Sequence, residues 1–328
     1  MISIESAGPS SSRRSSHFKG KVLQSWDKAI LPFVFVVMLV VFYAIDQRTL
    51  SPGNLMNVLN QVSILAIVTV GASVVIFSGG FDLSAGAVVA LSAVLAALVV
   101  DITGDVWLGV SAGIFIGLVV GGLNGFFVGY LNVSPLIVTL GALNICRGLA
   151  LVLAKDGAIY SFPSWYTNFG AMRFLGIPSL AWVAIVLFVI VSLILRYTPF
   201  GLNLYASGGN PKAARLSGVP VARVKLIAFA ISGACCGVAG VLLTVRSGGG
   251  DPTSGMLYEL EAIAAVVLGG AALSGGEGRL WRSMLAILLL AVLANGLNII
   301  GVHPHWKGVV IGVILTIAAT LDALKRSR

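Results

Sequence analysis

Among the polar side chains within the apolar segments of this sequence, five could do chemistry on a solute: Asn124, Asn144, Arg147, Asn295 and Asn298. An amide both donates and accepts hydrogen bonds, so the asparagines could bind a solute that is rich in hydroxyl groups. They could equally hold neighbouring helices together. The spacing of Asn295 and Asn298 places both on one face of a helix. The five residues are candidates for the path of a solute through the protein.

The charge of Arg147 restricts its surroundings. An arginine that faces lipid at the centre of a membrane costs at least ~2.5 kcal/mol. Arg147 lies well inside its apolar segment. It should therefore face other helices or reach toward the outer interface, either in the solute path or as a structural partner.

A long basic segment, residues 196–225, separates two apolar regions of the chain. It contains no Asp or Glu and carries Arg196, Lys212, Arg215, Arg223 and Lys225. Within it, Asn210 suits a helix N-cap and Pro211 suits the first helical position. Gly218 suits the position after the C-cap. This punctuation predicts a helix of two turns over 211–217.

A helix of two turns is not stable alone in water. It should therefore rest on a membrane surface or on a partner protein. The residues that could make this contact are Asn210, Pro211, Lys212, Arg215, Leu216 and Gly218.

Two other patterns carry no chemistry of their own. The segment LSGGE at 273–277 imitates a signature motif of ATP-hydrolysing cassettes, but the sequence contains no G-x-x-x-x-G-K-[ST] phosphate-binding loop. We therefore expect that this chain is not an enzyme, that it binds no cofactor, and that energy comes from a partner or an ion gradient. The segment HPH at 303–305 lacks a third ligand, so we expect no metal site.

Composition excludes a soluble protein. The chain has 328 residues, of which 58% are hydrophobic and 10% are charged, whereas soluble domains carry about 25% charged residues. The mean hydropathy is +1.01. A soluble enzyme and a nucleic-acid-binding protein are therefore excluded, although the formal net charge is +9. The three cysteines stand in apolar segments, without the spacing of a disulfide framework or a metal site.

Apolar stretches of about 20 residues predict membrane-spanning helices. We expect an all-α, polytopic membrane bundle of about ten such helices. The predicted spans are 29–45, 58–78, 83–101, 106–130, 135–154, 179–196, 224–246, 258–274, 281–300 and 307–323. Lysine and arginine concentrate in alternate loops, and this excess marks the cytoplasmic side. It predicts an even number of spans, with both termini and the long basic loop, 197–223, in the cytoplasm.

The chain divides into three parts. Residues 1–28 form a Ser-rich, basic tail, which we expect to be disordered and cytoplasmic. Residues 29–323 form the membrane domain. Residues 324–328 form a second, short basic tail in the cytoplasm.

The fourth predicted span has a glycine at every fourth position. The column consists of Gly109, Gly113, Gly117, Gly121, Gly125 and Gly129. Such a groove lets a neighbouring helix approach closely, which is how membrane helices gain contacts. We expect tight packing there and no ligand.

Two segments share the form G-G-x-x-L-S-x-G. They are GGFDLSAG at 79–86 and GGAALSGG at 269–276. The match is consistent with an internal repeat of the kind found in transporters. Both segments fall at predicted cytoplasmic ends of spans, where glycine and a capping serine or aspartate are expected in any case. Asp82 is the expected N-cap of the third span.

Several long stretches resemble one protein family, in the same order. They are TLSPGNLMNVLNQVS (49–63), SGGFDLSAGAVVALSAVLAA (78–97), LNGFFVGYLNVSPLIVTLGALNICRGLALVL (123–153), GLNLYASGGNPKAARLSGVPVARVK (201–225), YELEAIAAVVLGGAALSGGEGRL (258–280) and ANGLNIIGVHPHWKGVVIGVILTIA (294–318). From about residue 30 to 323, the chain is similar to the permease subunits of bacterial ATP-binding-cassette importers for monosaccharides and autoinducer-2.

The resemblance implies a multi-pass protein of the bacterial inner membrane that forms a translocation path by alternating access. It implies three partners besides membrane lipid and no nucleic acid. The partners are a second permease subunit, a cytoplasmic ATP-binding-cassette ATPase and a periplasmic sugar-binding protein. It further implies that residues 201–222 are the coupling segment that docks into the ATPase.

A self-sufficient secondary carrier of a small polar solute is the alternative. Such a carrier would need carboxylates within its spans to couple transport to an ion gradient. No chain of Asp, Glu and His runs through the predicted spans. An integral-membrane enzyme would need a polar catalytic cluster near one interface, and the sequence shows none.

Overall fold

Helices make up nearly all of the structure, which confirms the all-α class. The computed structural model describes residues 31–155 and 157–303, together with isolated positions between 306 and 320. Several helices begin with proline in the first turn, where its missing amide costs nothing. These prolines are Pro52, Pro135, Pro199 and Pro211.

Within the described residues, seven helices are long and apolar enough to cross a membrane. These are α2 (Pro52–Phe77), α3 (Ala85–Thr103), α4 (Val106–Gly129), α5 (Pro135–Ala154), α7 (Ser179–Tyr197), α10 (Val221–Ser247) and α12 (Leu280–Ile299). Shorter helices are α1 (Leu31–Ile45), α6 (Ser164–Ala171), α8 (Pro199–Gly209), α9 (Pro211–Leu216) and α11 (Tyr258–Leu268). An antiparallel hairpin of β1 (Arg173–Phe174) and β2 (Ile177–Pro178) precedes α7.

The predicted span 258–274 is shorter in the structure. Helix α11 ends at Leu268, and its 11 residues are too few to cross a membrane alone. Gly270, with a φ of +84°, turns the backbone after it. The count of about ten spans is therefore not confirmed by the described helices.

Three predictions fall largely or wholly outside the described residues. These are the last span, 307–323, and the tails 1–28 and 324–328. The total number of spans and the side of each terminus stay predictions.

The glycine column of α4 packs against backbone, as the sequence predicts. A Cβ atom built at Gly117 would lie 2.4 Å from the carbonyl oxygen of Gly233 in α10. Gly121 also faces the backbone of α10, whereas Gly109 faces Ala96 in α3. The glycine column of α4 thus packs against α3 at one end and against α10 at the other. The helices approach closely enough to replace side-chain contacts with backbone contacts.

The chain between α2 and α3 turns back inside the bundle. The carboxylate of Asp82 accepts a hydrogen bond from the hydroxyl of Ser232 (2.9 Å). Ser232 is the twelfth of the 27 residues of α10, so this turn lies near the middle of a membrane-spanning helix. A Cβ at Gly86, in the first turn of α3, would meet the carbonyl oxygen of Gly255, just before α11. Both α3 and α11 therefore begin about half-way along α10, and the placement of this turn at a cytoplasmic helix end is wrong.

Hydrogen bonds to Asp82 hold this turn between α2 and α3 in place, and we call the turn the break before α3. One carboxylate oxygen accepts from the amide and the hydroxyl of Ser84 (3.0 and 2.6 Å), and the other accepts from Ser232. Ser84, and not Asp82, occupies the N-cap position of α3. The carboxylate still lies at the helix N-terminus, where a negative charge is favourable. Because Asp82 is buried, these donors replace the water that it has lost.

Replacing Gly121 by leucine should lower the thermal stability of the protein, because a side chain there would push α10 away from α4. Overpacking of this kind costs about 1–3 kcal/mol. Gly122 provides a matched control, since nothing lies within 4 Å of a Cβ at that position. Thermal melting of the purified variants should show a lower midpoint for Gly121→Leu alone. Equal midpoints would contradict the packing of the groove.

Replacing Asp82 by alanine should lower the free energy of unfolding by about 1–3 kcal/mol, because the amide and hydroxyl of Ser84 would lose their buried acceptor. Asp82→Asn keeps one acceptor oxygen, so its free energy of unfolding should lie between those of the wild type and Asp82→Ala. Asp101→Ala, at an exposed position near the other end of α3, is the control. Denaturant unfolding measures all three. If Asp82→Ala were as stable as Asp101→Ala, these hydrogen bonds would not hold the break.

Candidate functional site

The short helix α9 projects from the loop between α7 and α10, and its caps are those that the sequence predicts. The side-chain oxygen of Asn210 accepts a hydrogen bond from the amide of Ala213 (3.0 Å). Pro211 is the first helical residue. Gly218 has a φ of +84°, and this left-handed conformation ends the helix. The predicted helix is confirmed and is one residue shorter.

One side of α9 rests on the protein, and the other side is exposed. Ala214 is buried, whereas Lys212 and Arg215 are exposed and Leu216 is 91% exposed. Burying a leucine side chain would stabilise the protein by about 1.5–3 kcal/mol. The fold of this chain does not use that contribution at Leu216. The residue is therefore suited to contact with another molecule.

Helix α8, which leads into α9, is not predicted from the sequence, because glycines such as Gly208 are poor helix formers. Its end lies between two turns of the bundle. A Cβ at Gly208 would lie 2.1 Å from the carbonyl oxygen of Phe77 and 2.4 Å from the amide of Gly276. The hydroxyl of Tyr205 donates to the carbonyl oxygen of Gly278 (3.3 Å). Burial raises the pKa of Tyr205, so the hydroxyl keeps its proton at neutral pH.

The two G-G-x-x-L-S-x-G segments meet at this point. The amide of Gly276, in the second segment, donates to the carbonyl oxygen of Phe77, just before the first (3.0 Å). A Cβ at Gly275 would lie 2.5 Å from Gly79. We call the contact of Gly79, Gly208, Gly275 and Gly276 the glycine junction. It connects α8 and α9 to the turns that follow α2 and α11.

Asn124, a predicted pathway residue, is buried and ties α4 to the break before α3. Its side-chain amide donates to the hydroxyl of Ser84 (3.0 Å). Ser84 in turn donates to Asp82. In this conformation Asn124 therefore bridges helices.

Arg147 binds backbone in the segment between α10 and α11. Its Nη1 donates to the carbonyl oxygens of Pro252 (2.5 Å) and Ser254 (2.9 Å). A Cβ at Gly250 would lie 2.4 Å from the carbonyl oxygen of Ala93, so this segment runs back along α3 into the bundle. The guanidinium has the protein partners that its charge requires.

Asn295 and Asn298 are the two predicted residues that the structure brings together. Asn295 exchanges two hydrogen bonds with Asn54 (2.7 and 3.1 Å). Asn298, one turn further along α12, is exposed. Both line a cavity of about 230 Å³ that lies between α2, α11, α12 and the end of α10.

The other polar side chains of this cavity are not among the pathway residues predicted from the sequence. They are Gln61, Arg246, Tyr258, Glu261 and His303. The sequence does contain a pattern that points to Gln61, because this residue lies seven positions after Asn54 and so shares a helix face with it. The others stand near helix ends, where charged residues are common.

Asn144 lies apart from this cavity. It is exposed on α5, and its amide donates to the carbonyl oxygen of Leu140 in its own helix (2.9 Å). Asn144 therefore does not line the cavity with Asn295 and Asn298.

Metal binding finds no support in the described ranges. No group of three or more His, Cys, Asp or Glu side chains there could hold an ion. Of the HPH segment, His303 lies within the described residues, and Pro304 and His305 lie outside them.

Comparison with known proteins shows the family of this chain. The sequence model of a family described as "Branched-chain amino acid transport system / permease component" matches residues 54–319. The chain is 40% identical to the Ribose import permease protein RbsC of Bacillus subtilis (strain 168) over 312 residues, covering 94% of this chain and 95% of the relative.

Two further relatives come from Escherichia coli (strain K12). The L-arabinose transport system permease protein AraH is 34% identical over 326 residues, covering 99% of this chain and 98% of the relative. The D-allose transport system permease protein AlsC is 34% identical over 305 residues, covering 91% and 92%. The matches cover nearly all of each protein, and the apolar helices are those of a multi-pass membrane protein. The chain therefore belongs to this family of transport-system permease components.

Proposed function

We propose that this protein is the transmembrane permease subunit of an ATP-driven, binding-protein-dependent sugar importer in the bacterial inner membrane. Its relatives are named as permeases for ribose, arabinose and allose, which supports a monosaccharide as substrate. The observation that carries the proposal is the exposed face of α9, on an arm joined to the bundle by the glycine junction.

The energy for uptake would come from a separate ATPase. The sequence has no G-x-x-x-x-G-K-[ST] loop, so the chain lacks the lysine and the backbone cradle that hold nucleotide phosphates. Leu216 offers an apolar contact, and Lys212 and Arg215 offer positive charge beside it. A cytoplasmic ATP-binding-cassette ATPase would dock here, since the charge distribution predicts that this loop and both termini lie in the cytoplasm.

Movement of α9 would reach the middle of the bundle through backbone contacts. Helix α8 leads directly into α9, and Gly208 touches the turns after α2 and after α11 together. A closing ATPase would displace α8, and the glycine junction would pass this displacement to both turns. Because α3 and α11 begin near mid-depth, their ends can shift without bending a continuous helix. This supports alternating access.

The solute path is best supported beside α12. Asn295 and Asn298 line the 230 Å³ cavity together with Gln61 and the charged Arg246 and Glu261. This mixture of donors and acceptors matches sugar hydroxyl groups. Asn124 and Arg147 would hold the surrounding helices in position.

A second permease subunit, identical or homologous, would cover the face of α5 that bears Asn144. This amide is exposed beside Ile145, which is 63% exposed. A polar side chain in such surroundings is unfavourable in lipid and is better placed at a contact between subunits. The periplasmic sugar-binding protein would deliver sugar at the opposite end from α9, where the hairpin lies.

A self-sufficient secondary carrier remains the alternative, and Asp82 is the carboxylate that it would need. Asp82 is enclosed by donors from Ser84 and Ser232. These contacts favour a structural role. Uphill uptake by the purified protein alone in vesicles would support the carrier and overturn the proposal.

Replacing Leu216 by aspartate should abolish co-purification of the ATPase and lower sugar uptake at least about tenfold, because a desolvated, unpaired charge opposes docking. Arg215→Asp should act in the same direction. Leu175→Asp is the control for recovery of the ATPase, since Leu175 is 78% exposed on the hairpin at the other end of the bundle. Recovery of the ATPase from native membranes measures the effect. Equal recovery from all three variants would refute docking at α9.

Replacing Asn298 by leucine should lower uptake about three- to tenfold, because each hydrogen bond contributes about 0.5–1.5 kcal/mol. Co-purification of the ATPase should not change, since α9 is intact. Asn168→Leu, at an exposed position of α6, is the control. Uptake of radiolabelled sugar by cells distinguishes the Asn298→Leu and Asn168→Leu variants. Normal uptake by Asn298→Leu would remove this residue from the path.

A further inference from the structure

A second groove, distinct from the cavity beside α12, lies where α7 ends and α12 begins. Its volume is about 610 Å³, and α8 contributes Tyr205 to it. Two arginines mark one end, Arg196 from the last turn of α7 and Arg279 from the N-cap of α12. The groove lies at the same end of the bundle as α8 and α9.

The charge of this groove is unbalanced. None of its described lining residues is acidic, and no described carboxylate lies within ion-pair distance of either guanidinium. Arg196 is explained in part by its helix, because a cation at a C-terminus is favourable. The helix dipole does not explain Arg279, because a cation at the N-terminus of α12 is unfavourable. A negatively charged ligand would balance both.

The remaining length of the groove is apolar and follows one face of α7. Val189 and Leu193 are four residues apart and lie in line with Arg196. This stripe extends about 10 Å along the helix away from the charge. Trp281, which is 42% exposed, closes the other side, as tryptophans do at the level of lipid headgroups. The groove thus matches a molecule with an anionic head and an apolar tail.

We propose that the groove is a binding site for an anionic phospholipid. The phosphate group lies between Arg196 and Arg279, and one acyl chain lies along α7. Basic pockets between membrane helices on the cytoplasmic side bind such headgroups. Tyr205 connects this site to the glycine junction, since it lines the groove and donates to the carbonyl oxygen of Gly278. A bound lipid therefore contacts the arm that carries α9, whichever solute the protein transports.

The test titrates the purified full-length protein in detergent with phosphatidylglycerol and follows its melting temperature and the lipid retained in native mass spectrometry. Phosphatidylcholine with the same acyl chains and inorganic phosphate are the comparison ligands. We expect saturable stabilisation by phosphatidylglycerol alone. Equal stabilisation by phosphatidylcholine, or by inorganic phosphate, would overturn the proposal, because it would show an apolar groove or a free-phosphate site.

Three variants locate the site. Each arginine near a headgroup contributes about fivefold to affinity, so Arg196→Gln/Arg279→Gln should bind phosphatidylglycerol about 30-fold more weakly. Arg223→Gln removes an exposed charge at the same end of the bundle and should bind normally. Ser192→Phe fills the apolar part of the groove without changing its charge, so it decides the question if the double variant does not fold. Wild-type affinity in Ser192→Phe or in the folded double variant would refute the site.

Discussion

Backbone amides and carbonyl groups inside a membrane must find partners within the protein, because lipid offers none. Two helices here, α3 and α11, begin about half-way along α10, so both leave free backbone groups at depth. Asp82 accepts from the amide at the start of α3, and Arg147 donates to two carbonyl oxygens in the segment before α11. Much of the polar chemistry in the bundle serves this requirement, which leaves fewer side chains for a solute than the sequence suggests.

Close approach of backbones is the second consequence of the same requirement. Gly208 lies so near Phe77 and Gly276 that a single methyl group would not fit. Contacts of this kind leave no flexible side chain between α8 and the two turns that it touches. The arm formed by α8 and α9 thus contacts the turns that follow α2 and α11 through backbone atoms, while Leu216 at its tip stays exposed. If an ATPase docks on α9 as proposed, a force applied there would reach the turn between α2 and α3 through these contacts.

Local patterns were sufficient to predict α9 and the packing of α4. The caps at Asn210 and Gly218 and the four-residue period of the glycines act over a few residues, and the structure contains both. The breaks could not be predicted this way, because the hydrogen bond that holds Asp82 comes from a residue 150 positions later. Hydropathy also overestimates the length of α11, since the two glycines that end it carry no charge and Ala271, Ala272 and Leu273 continue the apolar run after them. Of the five pathway candidates, Asn295 and Asn298 share a helix face and meet, whereas the position of the others depended on distant elements.

The surface of α9 and the glycine junction are built from different atoms, and this difference affects how their sequences can vary among related subunits. The surface of α9 is made of side chains, and these can be exchanged without disturbing the bundle, since most of them touch solvent. The junction is made of backbone atoms, which every sequence supplies, on condition that glycine is kept at its centre. If α9 is the docking surface proposed above, related subunits could come to bind different ATPases by changing this one short surface while the glycine junction stays the same.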